Sequence, residues 1–319
     1  MTRVHRSLLA ALLIGVATAA IAQYPTKPIR LVLGFPPGGS ADAVTRIMGE
    51  ALSQSLGQSV VVENRSGADS IIAAELVMRA TPDGYTLLFA SSNALVAPVT
   101  LKKAPPYDSL ADFAPISQLG GATLFLYTAL GVPVKTLGEF VDYLRKNPEK
   151  LIYGSPNSVA LLSAKQLMSL TNTRMTEVPY KGEGPLMPDI VGGRVHASFI
   201  SVASAISLAK DGRLRMLAVA LDKRSELAPD VPTVAEAGYP GVTVRHIAGI
   251  VAPRKTPRPV VERLSREINM LLKRPNVKEQ MEKQAYAVRA STPEEFAALV
   301  RENIDTWKKI VRETGIPLE

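Results

Sequence analysis

The 319-residue chain has no cysteine, a single tryptophan (Trp307) and three histidines, His5, His196 and His246. Without thiols it can form no disulfide, no thiolate metal site and no cysteine nucleophile. With so few histidines, one of them in the first six residues, it cannot build a multi-histidine metal site. Basic residues exceed acidic ones for a formal net charge of +8 at pH 7. They are scattered, with no Lys/Arg block and few aromatics between them, which makes a general positive field that helps attract anions and not a nucleic-acid footprint. The chain has no G-x-S-x-G elbow and no close pair of carboxylates in apolar surroundings, so the common serine-hydrolase and glycosidase arrangements are missing. No cofactor motif is recognisable, and after the first 22 residues no run is apolar enough for the roughly 20-residue span of a bilayer.

The chain opens Met1-Thr-Arg-Val-His-Arg, runs apolar from Leu8 to Ala22 and ends that run in Ala20-Ile21-Ala22. A basic start, a short apolar stretch and small residues at its end predict a secretory signal peptide cleaved before Gln23. No cysteine follows for lipid attachment, so the mature protein is expected to be exported to the periplasm and soluble there. Its remaining length suits two domains or one large one.

The stretch from Pro25 to Asp42 carries most of the local information. Ile29–Phe35 reads as a buried strand, Pro36-Pro37-Gly38-Gly39 as a tight loop, and Ser40 and Asp42 as N-cap types before a helix from Ala43 to Leu56. A helix start offers free N–H groups and a positive dipole end to an anion, and paired glycines let a ligand approach bare backbone. The loop fits neither G-x-G-x-x-G nor G-x-x-x-x-G-K-[ST]. Strands at Ser59–Glu63 and Tyr85–Ala90, with a helix at Ser70–Ala80 between them, complete a β-α-β-α-β series, which argues for a parallel sheet covered by helices. After an irregular stretch from Val99 to Phe113, strands at Ala114–Leu119 and Ala122–Leu130 lead into a second alternating series. Its strands are Leu151–Tyr153, Thr176–Tyr180, Ala197–Ser201 and Arg215–Ala220, with a helix at Val159–Leu170 among them. A long extended run, Val242–Val251, and helices at Pro257–Leu272, Lys278–Gln284 and Pro293–Thr314 follow. The last has Ser291 and Thr292 as cap candidates and Pro293 in its first turn.

Five strand-end loops share a composition of Gly, Ser, Asn and Pro: Pro37–Ser40, Ser91–Asn93, Ser155–Ser158, Lys181–Gly184 and Ser201–Ser204. Any one of them could simply turn the chain. Together, at the strand ends where open α/β sheets place ligands, they suit a pocket that binds a small anion without transforming it. His196 reads as a surface residue, while His246 could face a cleft.

Eight stretches, in order along nearly the whole mature chain, resemble one known family: YPTKPIRLVLGFPPGGSAD (24–42), LGQSVVVENRSGA (56–68), PDGYTLLFA (82–90), YDSLADFAPIS (107–117), VPYKGEGPLMPDIVGGRV (178–195), GRLRMLAVA (212–220), PDVPTVAEAGYPG (229–241) and IVAPRKTPRPVVERL (250–264). The sequence resembles the Bug family of exported solute-binding proteins, also described as the substrate-binding components of tripartite tricarboxylate transporters. The resemblance implies an α/β fold of the two-domain periplasmic-binding-protein type II kind, each domain a mostly parallel sheet flanked by helices. It implies a discontinuous first domain of residues 23–122 plus 243–319, a second of 123–242, and a ligand cleft between them. It also implies a small organic anion, in the family's usual pattern a carboxylate, delivered by a monomer to inner-membrane permease subunits or to a sensor protein, without cofactor, metal or catalysis. Carried over by position, the ligand groups would be Phe35, Gly38, Gly39, Ser40 and Asp42 in the first loop, with Asp42 either capping its helix or touching ligand. Ser91, Ser155, Ser158, Tyr180, Lys181, Gly182 and Ser201 would complete the set. An enzyme of the cleft would instead use Tyr180, Lys181 or His246 as acid or base. The chain departs from the family pattern at Asp69-Ser70, where a glycine pair is usual, at Leu161 and Leu162 in a shortened loop that lacks a histidine, at Ile200 in place of an aspartate, and at His246 in place of a tryptophan.

Overall fold

The computed structural model describes residues 24–221 and 223–318; the signal-peptide reading and its cleavage point fall outside them. Two sheets carry the chain. The first has the order β11-β4-β10-β3-β1-β2, formed by β1 (Ile29–Leu33), β2 (Val60–Asn64), β3 (Thr86–Ser91), β4 (Phe113–Ala122), β10 (Ala248–Pro253) and β11 (Tyr286–Val288). The second has the order β7-β6-β8-β5-β9, formed by β5 (Leu124–Ala129), β6 (Ile152–Ser155), β7 (Thr176–Pro179), β8 (Ala197–Ser201) and β9 (Leu214–Val219).

Both sheets are covered on both faces, which is why their strands read as near-continuous apolar runs. On one face of the first sheet, α1 (Ser40–Leu56), α9 (Arg258–Leu272) and α10 (Pro275–Lys283) pack Val44, Met48, Leu264, Ile268 and Met281 against Leu31, Leu33 and Ile250. On the other, α2 (Ile71–Met78), the short α3 (Ser92–Leu95) and α4 (Ala97–Leu101), and α11 (Pro293–Thr314) bring Val77, Phe296, Val300 and Trp307 against Val32, Leu88 and Val251. The second sheet is flanked by α5 (Leu137–Lys146) and α6 (Ser158–Thr171) on one face, and by α7 (Glu183–Val191) and α8 (Val202–Lys210) on the other. Fully buried side chains such as Leu31, Phe140 and Trp307 each contribute roughly 1.5–3 kcal/mol or more through burial. The capping expectation at the last helix is met: the Thr292 hydroxyl accepts from Glu295 N–H at 3.1 Å and the Glu295 carboxylate accepts from Thr292 N–H at 2.8 Å.

The strand pairing is mixed and not mostly parallel. β1 pairs in parallel with β2 and β3, but β10 is antiparallel to both β3 and β4, and β5 is antiparallel to both β8 and β9. The cause lies in the connections. Only Thr123 separates β4 from β5, so β5 starts at the end of the first sheet where β4 stops, and must run away from it. β10 likewise starts at this side, with Ala248 opposite Ser91 at the carboxyl end of β3. β11 also runs this way, with Tyr286 opposite Ala122 at the end of β4; the remaining strands of each sheet send their carboxyl ends toward the other sheet.

Two further expectations change. The extended run from Val242 shortens to Ala248–Pro253, because its first part is held by side chains and not by a ladder: Thr243 N–H donates to Gln166 Oε1 at 2.9 Å and Ile247 N–H to Ser92 Oγ at 2.9 Å. The stretch taken as irregular from Val99 overlaps α4, and Ser92–Leu95 is already helical.

Candidate functional site

The carboxyl ends of β1 to β3 face those of β6 to β8, and the glycine loop lies at the first of these ends. Pro36 to Gly39 are exposed. Gly38 has φ +90°, which a side chain would strain, while Gly39 has φ −85° and serves as N-cap of α1 without any side-chain capping bond. A Cβ at either glycine would meet nothing within 4 Å. Beneath the loop, Asp42 is 5 % exposed. Its Oδ2 accepts from Gly38 N–H at 3.1 Å and from Arg46 Nε at 2.9 Å, and its Oδ1 from Asn64 Nδ2 at 2.9 Å. Burial opposes its charge, but these bonds from Arg46, Asn64 and Gly38 outweigh it and hold the carboxyl below the usual aspartate range. Asn64 also donates to the Phe35 carbonyl at 3.0 Å. Asp42 therefore braces the loop. Gly38 N–H is engaged by that brace, which leaves the N–H groups at the start of α1, from Ser40 onward, as the open donors. Phe35 is half-buried at the loop's root.

Beside this loop runs a strained segment. Ala68, Asp69 and Ser70 have φ of 45°, 51° and 74°, a left-handed turn of three non-glycine residues. Each costs roughly 1–2 kcal/mol relative to the right-handed form. The turn is held from several sides. Ser70 Oγ donates to the Gly34 carbonyl at 3.2 Å, and Gly34 must be glycine because a Cβ there would lie 2.4 Å from Ser70 Cβ. The Asp69 carboxylate accepts from Asn93 Nδ2 on one oxygen and from Ser158 Oγ on the other. Ser158 opens α6 on the second sheet, so Asp69 bridges the two sides. A cavity of about 230 Å³ at this junction is lined by Asp69, Asn93, Lys102, Ser158 and Leu161 among others.

Of the other sequence-predicted residues, Ser91 is buried and caps α3 by accepting from Asn93 N–H at 3.3 Å. Ser91, Asn93, Asp69 and Ser158 thus form one connected series. Ser155 does not offer its proton outward: its Oγ donates to Glu177 Oε1 at 2.8 Å, beside Tyr153, whose hydroxyl takes Oε2 at 2.8 Å. Nor does Tyr180, whose hydroxyl donates to Asp189 Oδ2 at 2.6 Å; burial and that carboxylate push its phenol above the ordinary range. Carboxylates within the second series accept both protons. Lys181 is exposed, and Gly182 precedes α7 with φ +106°. Ser201 is engaged as well: its N–H donates to Glu183 Oε1 at 2.7 Å and its hydroxyl to Glu183 Oε2 at 2.6 Å. Ser204 Oγ donates to the same Oε2. Sequence reasoning passed over both Glu183 and Asp69 as partners. The available signal was a lone acidic residue in each glycine-containing loop, residues 181–184 and 64–70.

The two described histidines, His196 and His246, are structural acceptors. His196 is half-buried and not a surface residue: its Nδ1 accepts from Ile152 N–H at 3.0 Å, and burial lowers its pKa. His246 Nδ1 accepts from Ala122 N–H at 2.9 Å, and burial lowers its pKa to about 4. The ring meets Tyr286 edge-on with centroids 6.1 Å apart. It is neutral at pH 7 and pins the end of β4 where the chain crosses between the sheets. Among the described residues no group of acidic and histidine side chains could hold a metal ion.

Comparisons with known proteins converge on one family. A family model described as the tripartite tricarboxylate transporter family receptor matches residues 44–316. Protein BugT of Bordetella pertussis is 34% identical over 321 residues, covering 98% of this chain and 98% of its own. Among solved structures, R. palustris Rpa4515 with adipate superposes with a TM-score of 0.87 at 30% identity, covering 92% of this chain and 99% of that one. MatC from Rhodopseudomonas palustris with bound malate gives 0.81 at 30% identity, over 90% of this chain and 100% of that one.

Proposed function

The chain belongs to the tripartite tricarboxylate transporter receptor family, and on that premise we propose that it is a periplasmic solute-binding protein that holds a small carboxylate between its two sheets. The observation that carries the reading is the glycine loop. It is exposed, bounded by open space at Gly38 and Gly39, and braced by Asp42 so that the uncapped start of the 17-residue α1 stays presented. Such a helix start stabilises a negative group through its free N–H donors and dipole. The adipate and malate bound by the two structural relatives support the same ligand class.

In this reading the domains are 23–122 plus 243–319 and 123–242, after removal of a signal peptide before Gln23. The hinge runs through Thr123, whose N–H donates to the Ala285 carbonyl and whose carbonyl accepts from Val202 N–H, each at 3.0 Å. A ligand touching both walls would bias the domains toward closure, and the closed form would meet inner-membrane permease subunits. Catalysis has little support: His246 uses Nδ1 on Ala122, and Tyr180 is raised in pKa and tied to Asp189.

Calorimetric titration with carboxylic acids of three to six carbons tests the reading. Saturable one-to-one binding of at least one is expected. Absence of saturable heat across the panel would remove the small-carboxylate assignment.

A further inference from the structure

Glu183 is the first residue of α7, directly after Gly182, whose positive φ turns the chain there. Its two oxygens take the N–H and hydroxyl of Ser201 and the hydroxyl of Ser204, the donors at the start of α8. A carboxylate of the chain itself is therefore held at the carboxyl end of β8, on the wall that faces the glycine-loop side. Two buried phenols, Tyr127 from β5 of the second sheet and Tyr286 from β11 of the first, lie within the electrostatic reach of the same charge. Neither hydroxyl has a hydrogen-bond partner among the described residues. Burial first, and then the charge of Glu183, push both phenols well above the ordinary tyrosine range. Glu183 thus stands on the second wall as a tethered negative charge.

We propose that Glu183 is a specificity-determining residue that fixes a negative charge at this end of the cleft, so that the protein takes small carboxylates whose far end is an ammonium or an alcohol and rejects the matching dicarboxylates. The proposal rests on the reading above that the ligand's carboxylate lies at the glycine loop. A second ligand carboxylate would have to displace a tethered one that is present at high effective concentration, or else lie beside it as a like charge in a partly buried site. An ammonium would pair with Glu183. An alcohol would donate to Glu183.

The test uses the full mature protein and three matched series of three to six carbons: α,ω-dicarboxylates, ω-amino acids and ω-hydroxy acids, titrated into wild type, Glu183→Gln and Glu183→Asp. At the best chain length, wild type is expected to bind the amino or hydroxy acid at least tenfold more tightly than the diacid. Glu183→Gln should lose that preference by tenfold or more, while Glu183→Asp, which keeps the charge, should retain it. The wild-type ranking needs no variant to fold. A diacid bound best by wild type, or a ranking that survives Glu183→Gln, overturns the proposal while leaving the carboxylate reading intact. No binding by any member of the three series overturns both.

Discussion

Two helix starts face the gap between the sheets, and the chain treats them in opposite ways. α1 begins at Gly39, which has no side chain with which to cap it, and Asp42 braces the loop from beneath while its outer side stays open. α8 begins at Ser201, where the chain supplies its own carboxylate from Glu183. A third start, that of α6, is capped by Asn157, which accepts from Ala160 N–H at 3.0 Å. A helix N-terminus is thus an anion seat only where local side chains leave it unsatisfied. On this comparison the starts of α1 and α8 are not equivalent: the first is left without a side-chain cap, and the second is already given a negative charge by Glu183.

The largest effect is expected from Gly39→Val. Its φ of −85° suits any residue and a Cβ meets nothing within 4 Å, so stability should shift by no more than about 0.5 kcal/mol. The added side chain would fill the approach to α1, and calorimetry should register a loss of affinity of about a hundredfold, near 2.7 kcal/mol. Unchanged binding would mean that the loop is only a turn. Asp42→Ala removes a nearly buried carboxylate with three donors and should cost about 2 kcal/mol in denaturant unfolding, with weaker binding as the loop loosens. If it costs nothing, the brace is not what distinguishes the first wall.

His246 tests the junction that holds the walls together. Its pKa falls from 6.5 to about 4 on folding, so the unfolded chain binds the proton first. The stability it contributes is complete above pH 6.5 and lost as pH falls from 6.5 toward 4. Allowing for its partial exposure, the loss is about 2 kcal/mol. In His246→Asn, which keeps an acceptor near Ala122 N–H, the unfolding free energy should vary less over that range. An unaltered pH profile would remove His246 from the account. Ser204→Ala should have the smallest effect, about 1 kcal/mol, by removing one donor from Glu183. A large gain in affinity for carboxylates in that variant would indicate that Glu183 had been competing with ligand more weakly held than the geometry implies.

Much of the fold was legible because strands covered on both faces show themselves as short apolar runs between turn signals. Ile29–Leu33 and Ala197–Ser201 are of this kind, and both are fully or nearly fully buried apart from Arg30. The antiparallel entries of β5 and β10 were not legible, because periodicity reports burial and not direction. β11 was missed because it has three residues, of which only Tyr286 is buried. At the site, the glycine loop stood out by composition alone. The engagement of Ser155, Tyr180 and Ser201 did not, since their acceptors Glu177, Asp189 and Glu183 lie 22, 9 and 18 residues away in sequence. The departure at Asp69-Ser70 was visible, but only the structure shows Asp69 joining Asn93 to Ser158 across the gap.

The most direct test is a crystal structure of the protein with whichever acid from the calorimetric series binds most tightly. The ligand carboxylate is expected within hydrogen-bond distance of the N–H groups that open α1, with Glu183 still on Ser201 and Ser204. A ligand carboxylate seated on Ser201 and Ser204, with Glu183 displaced, would contradict it.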